Sequence, residues 1–185
     1  MGLDMNLYRK SYVKNWEHEP KSEQSEVIVK KGGVVRSDIK SERVAYVIED
    51  VAYWRKANAI HNWIVKNCAG GVDKCQQISM SDTDLKNLLN AVNTVLASSK
   101  LVEGTITNGQ RYENGKWVNI EEKGKTVESP VVADLFLPTA SGFFFGGTDY
   151  DEYYIKDLEY TKSVLEPIVA GLATDGGRYY YQASW

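Results

Sequence analysis

The sequence predicts an α+β protein, one domain in which a small, largely antiparallel sheet containing both chain ends packs against about three helices. Three observations carry this expectation. The 185 residues suffice for one sizeable core and are short for two. Extended patterns stand at the two ends, over 2–13 and 178–185. Between them lie segments of helical period that stop at Gly-Gly pairs.

Residues 2–13 alternate loosely, as a first strand does, and a polar loop runs through Glu17 to Ser25. Val27–Val29 reads as a short strand stopped by Gly32-Gly33. A helix is expected over about 47 to 67, ended by Gly70-Gly71. Ser81 and Asp84 form an N-cap pair, and Leu85, Leu88, Leu89, Val92, Val95 and Leu96 follow on one helical face. Asn108-Gly109 and Asn114-Gly115 mark tight turns in a polar stretch, so 103–128 is expected to be an exposed hairpin arm.

Leu135–Pro138 and Phe143–Phe145 read as buried extended segments. A third helix is expected from Asp149, with Glu152 at its third position. Its stripe of Tyr154, Leu158, Thr161, Leu165, Ile168 and Leu172 is spaced four, three, four, three and four apart. Pro167 should kink or shorten this helix, and Gly176-Gly177 should end it. The closing Arg178–Trp185 strand is expected to join the sheet of the N-terminal strand.

Composition narrows the function classes. The apolar content of 43% and charged content of 25% are those of a globular protein. The net charge of −3 provides no global basic field, which disfavours non-specific nucleic-acid binding and attraction to anionic membranes. No stretch approaches the roughly 18 apolar residues of a spanning helix, and no leader pattern opens the chain, so a cytoplasmic location is expected. Cys68 and Cys75 are too few for a disulfide scaffold, in keeping with a reducing compartment.

Two segments concentrate aromatic and polar side chains beyond what a core needs: Val51–Trp63 and Phe143–Tyr154. If 47–67 is helical, Trp54, Asn58, His61 and Val65 share one stripe with Arg55 beside it. Trp54 offers a stacking face, Arg55 a planar fork for an anion, and His61 a proton donor or acceptor near neutral pH. Internal satisfaction of Asn58 and His61 is the competing expectation, because buried polar groups are normally paired within the protein. In the second segment, Asp149, Tyr150, Asp151, Glu152 and Tyr153 combine carboxylates with aromatic area suited to a basic protein surface.

Gly146-Gly147-Thr148 ahead of a helix has the outline of a phosphate turn, but the neighbouring acids and the missing lysine argue against one. The Asp149, Asp151 and Glu152 spacing does not match a calcium loop. The six-residue gaps separating His61, Cys68 and Cys75 are wrong for a zinc knuckle. Cys68, on an apolar stripe, is expected to be an inert thiol. No metal, cofactor or catalytic residue is therefore assigned, and no specific catalytic motif occurs.

The opening Met1-Gly-Leu-Asp-Met5, the run Val51–Trp63, Gly71-Val-Asp73 and Ser141–Tyr154 together resemble a family of small proteins encoded by bacteriophages and prophages. That resemblance implies a role in host takeover or anti-defence, including similarity to an anti-CRISPR inhibitor. The expected function is a non-catalytic, phage-encoded binding protein that antagonises a host protein, with Tyr150, Asp151, Glu152 and nearby tyrosines, or the arm, as contact surface. The alternative is a small-molecule or nucleotide-binding protein or enzyme using a pocket of Trp54, Arg55, Asn58 and His61.

Overall fold

In the computed structural model, residues 2–142 and 144–185 are described. The chain opens with β1 (Asp4–Tyr12), whose Met5 and Leu7 are buried together with Leu3 just before it. A polar loop follows, then a two-residue-per-strand hairpin of β2 (Lys30–Lys31) and β3 (Val34–Val35). Gly32 and Gly33 make its turn at φ of 58° and 84°, the left-handed region that glycine enters without steric cost. Val27–Val29, expected as a strand, precedes this hairpin as irregular chain.

The expected helix over 47–67 is instead two elements, β4 (Tyr46–Arg55) and α1 (Asn58–Cys68). Two features account for the difference. A register shift between Leu7 and Tyr8 leaves Val51 bulged out of the β1 pairing, which breaks the alternation that marks a strand. Lys56 turns the chain at φ 63°, a conformation that its residue type does not announce. The shared helical stripe of Trp54, Asn58, His61 and Val65 therefore does not form.

β5 (Ile78–Met80), unforeseen in the sequence, leads into α2 (Asp82–Ser98). The capping box is present: Asp84 N–H donates to Ser81 Oγ at 3.2 Å, and Ser81 N–H donates back to Asp84 Oδ2 at 2.8 Å. Leu85, Leu88, Leu89, Val92 and Val95 are buried as their spacing requires. β6 (Leu101–Glu113) and β7 (Lys116–Val127) make a long hairpin over nearly the range expected for the arm.

Residues 135–137 depart from expectation. α3 (Val131–Phe136) is a short helix with Leu135 and Phe136 exposed, and Leu137 alone of that run is buried. Phe143 lies outside the described residues, while Phe144 and Phe145 are half-buried in irregular chain. α4 (Glu152–Gly171) is capped by Asp151 rather than Asp149, and its helical pattern continues through Pro167 and stops at Gly171, before the Gly176-Gly177 pair. Tyr154, Leu158, Thr161 and Leu165 of its stripe are buried.

β8 (Arg178–Ser184) closes the chain beside β1. The main sheet runs β4-β1-β8-β5 with all pairs antiparallel, so both chain ends occupy it, and the fold is α+β. One sheet face, carrying Met5, Leu7, Ala52, Trp54, Tyr179 and Tyr181, meets the helices in a single core cluster. Arg9 ties the strand ends together by pairing with Asp175 and Glu49, and the Tyr179 hydroxyl donates to Asp175 at 2.7 Å. Among the described residues no helix is long and apolar enough to cross a membrane.

Candidate functional site

A cleft of about 1010 Å³ lies between four parts of the fold. They are the β4–α1 corner from Arg55 to Ile60, the loop through Gly146 to Asp149, the first turns of α4, and the inner side of the β6–β7 arm. The two segments that stand out in the sequence therefore meet at one place. Asn58 joins them, because its amide donates to the carbonyls of Phe145 (3.0 Å) and Gly147 (2.7 Å) and accepts from Ala140 N–H (3.0 Å). Gly146 lets the loop close on the corner: it adopts φ 88°, and a Cβ there would stand 3.2 Å from Lys56 Cβ.

Of the four pocket candidates, Arg55 and Asn58 line the cleft, and Arg55 is the exposed one. Its side chain is hydrogen-bonded to none of the described residues, leaving its donors available. Trp54 is buried and donates its indole N–H to Thr161 Oγ1 at 2.9 Å, pinning β4 to α4. Asn58 is the internal staple just described. His61 is 2% exposed, with Nδ1 2.7 Å from the Tyr181 hydroxyl and Nε2 2.9 Å from Asp73. Asp73 also accepts from the Trp185 indole at 3.0 Å, so this cluster fastens the C-terminal strand to α1. Internal pairing accounts for Trp54, Asn58 and His61 in full.

The acidic tyrosine segment divides in a similar way. Asp149 accepts from Thr107 N–H at 2.9 Å and so anchors the arm to the loop. The Tyr150 hydroxyl donates to Asp134 at 2.8 Å. Asp151 is buried, and its Oδ1 accepts from Tyr153 and Tyr154 N–H, both at 2.9 Å. Removing such a cap costs about 0.5–2 kcal/mol, so charge reversal at Asp151 disturbs the helix as well as any surface. Glu152 pairs with Lys156 at 2.8 Å, which holds its carboxyl below the usual range. Tyr153 is exposed with the Lys156 ammonium 4.8 Å from its ring centre.

Sequence reasoning missed Asp157. It lines the cleft one turn into α4, and its carboxylate is hydrogen-bonded to none of the described residues. Desolvation, helped by the nearby charge of Asp151, pushes it up to about 7. Asp151 is likewise raised by burial, against the lowering effect of its two backbone donors. The spacing Asp149, Asp151, Asp157 gave no signal, because it matches no ligand motif. The arm was offered as a contact surface without particular residues, and Trp117, Gln110 and Asn119 of it line the cleft.

Cys68 is half-buried, and desolvation pushes its thiol up to about 12, which keeps it protonated and unreactive. Among the described residues no three His, Cys, Asp or Glu side chains gather closely enough to hold a metal ion. The fold and the cleft together describe an α+β protein with a mixed-charge cleft walled on one side by a β-hairpin arm. Comparison with family models, curated proteins and solved structures finds no match to this chain.

Proposed function

We propose that the chain is a non-catalytic binding protein that holds a host protein in this cleft, with the arm as one wall, and thereby antagonises that host factor. One observation carries the reading. Tyr112 and Trp117 meet edge to face across the arm, ring centres 5.3 Å apart, and remain 63% and 66% exposed, and Trp117 lines the cleft. Tryptophan and tyrosine bring large contact areas with few rotors to order, and they dominate the energetics of many interfaces. The mixed charges of Arg55, Lys156 and Asp157 suit a polar, charged protein surface better than a lipid. Host takeover or anti-defence, anti-CRISPR activity included, rests on the resemblance to phage-encoded proteins.

The test is capture from bacterial lysate with the tagged chain and with a Tyr112→Ala, Trp117→Ala double variant. The expected result is a stoichiometric protein that the double variant loses while its melting temperature stays unchanged. Equal recovery by both baits would defeat the reading.

A small polar ligand is a second reading, favoured by Asp157. A half-buried carboxylate with no hydrogen-bond partner among the described residues opposes stability, and such groups concentrate at binding sites. Arg55 and Asp157 then replace the Trp54, Arg55, Asn58 and His61 set, three of whose members are committed elsewhere. Thermal stabilisation by a ligand, abolished by Arg55→Ala, would support this reading over the first.

A further inference from the structure

The face of the main sheet turned away from the helices carries an ordered pattern that the cleft does not explain. Antiparallel register places its residues in rows across the strands. Tyr12 stands opposite Tyr46, then Lys10 between Ile48 and Arg178, then Tyr8 between Asp50 and Tyr180, then Asn6 between Tyr53 and Gln182. Two rows of tyrosines thus flank a row of two cations. At about 3.4 Å per residue the aromatic rows lie about 14 Å apart, with the backbone of the Lys10 and Arg178 row midway.

Lys10 and Arg178 form a direct cross-strand neighbour pair. Like charges in that position repel and weaken a sheet, whereas an anion between them converts the repulsion into attraction. The carboxylates of the same face are engaged elsewhere: Asp50 accepts from the Asn6 amide at 3.2 Å, and Asp4 accepts from the Tyr53 hydroxyl. Tyr12, Tyr46, Ile48 and Tyr53 are exposed, and Tyr8, Lys10 and Tyr180 are partly so. The Lys10 ammonium already rests 4.0 Å from the Tyr46 ring centre, so cation and aromatic are held together.

We infer that this open face binds single-stranded nucleic acid, with bases stacked on the Tyr12/Tyr46 and Tyr8/Tyr180 rows and a backbone phosphate seated between Lys10 and Arg178. Stacking on aromatic rings accepts any base and needs no global positive charge, so the net charge of −3 excludes duplex attraction more strongly than it excludes this mode. An antiparallel sheet with aromatic rings on its open side is a recurrent single-strand platform. The inference goes beyond the cleft and is independent of it.

Fluorescence anisotropy of labelled oligo-uridine and oligo-thymidine, each about 10 nucleotides long, tests it at low salt. The full chain is compared with a Lys10→Gln, Arg178→Gln pair and a Tyr8→Ala, Tyr180→Ala pair. The expected result is binding of either or both strands that falls with added salt and weakens at least about fivefold in each variant. The glutamine pair should melt close to the parent, because the repulsion it removes offsets the Lys10–Tyr46 contact it loses, which separates lost binding from lost fold. No binding by the parent, equal binding by the glutamine pair, or tighter binding of duplex than of single strand would each overturn the inference. So would self-association through this face without oligonucleotide binding, which would assign it to a second copy of the chain.

Discussion

Asp157 sits where burial opposes its charge. Its carboxyl is raised to about 7 from an ordinary value near 3.8, so between those pH values the folded state binds more protons than the unfolded state. Stability therefore falls as pH rises through that window, and the loss is complete above about 7. Asp157→Asn should raise stability by about 1 to 3 kcal/mol at pH 8 and leave it unchanged near pH 3, as read by urea unfolding at the two pH values. An equal effect at both would show that the carboxylate is not desolvated. At this scale the sequence named chemistry without naming its use. Trp54, Asn58 and His61 are the residue types that a ligand site needs, and equally the types that close internal hydrogen bonds. Only the partners decide, and those partners come from 107, 87 and 120 residues away in the chain.

At the scale of the element, the proposed function rests on the arm. Its base is fixed: Thr107 N–H donates to Asp149, Val127 N–H donates to Tyr150, and Thr126 bridges Asp151. Beyond the irregularity between Thr107 and Gln110, every residue to Lys123 is exposed. Excising 109–118 and rejoining the strands with a two-residue turn should change the melting temperature little while eliminating partner capture. A large drop in melting temperature would mean that the distal arm supports the core. The arm was legible because Asn114-Gly115 and a polar composition declare a hairpin, although Asn108-Gly109, read as a second turn, is an irregularity within β6, and α2 was legible because its cap and stripe agree. β4 was not, since its bulge at Val51 breaks the period of two and a lysine, not a glycine, makes the turn at 56.

For the whole molecule, closure of the sheet by the two chain ends sets both stability and the position of the site. Leu3 N–H donates to Phe144 O, and Lys56 N–H donates to Leu3 O at 2.7 Å, so β1 carries the corner and the loop that form the cleft floor. At the other end of β1, Arg9 holds the Asp175 carboxyl well below the usual carboxylate range. A depressed carboxyl contributes stability above its unfolded value and loses it as pH falls further, so the lock should weaken below about pH 4. Asp175→Asn should lower stability at pH 7 and flatten the acid limb of the stability curve. The α+β class was readable from extended ends around segments of helical period, and the pairing of the two ends from their strand patterns. The meeting of two distant segments in one cleft was not, because it depends on Asn58 reaching a loop far along the chain.

The most direct measurement is photo-crosslinking in bacterial cells from a probe residue placed at Trp117, with the same probe at Lys86 on the exposed side of α2 as reference. The account predicts one dominant protein crosslinked from position 117 and absent from position 86. Crosslinks of equal yield from both positions, or none from 117, would contradict it.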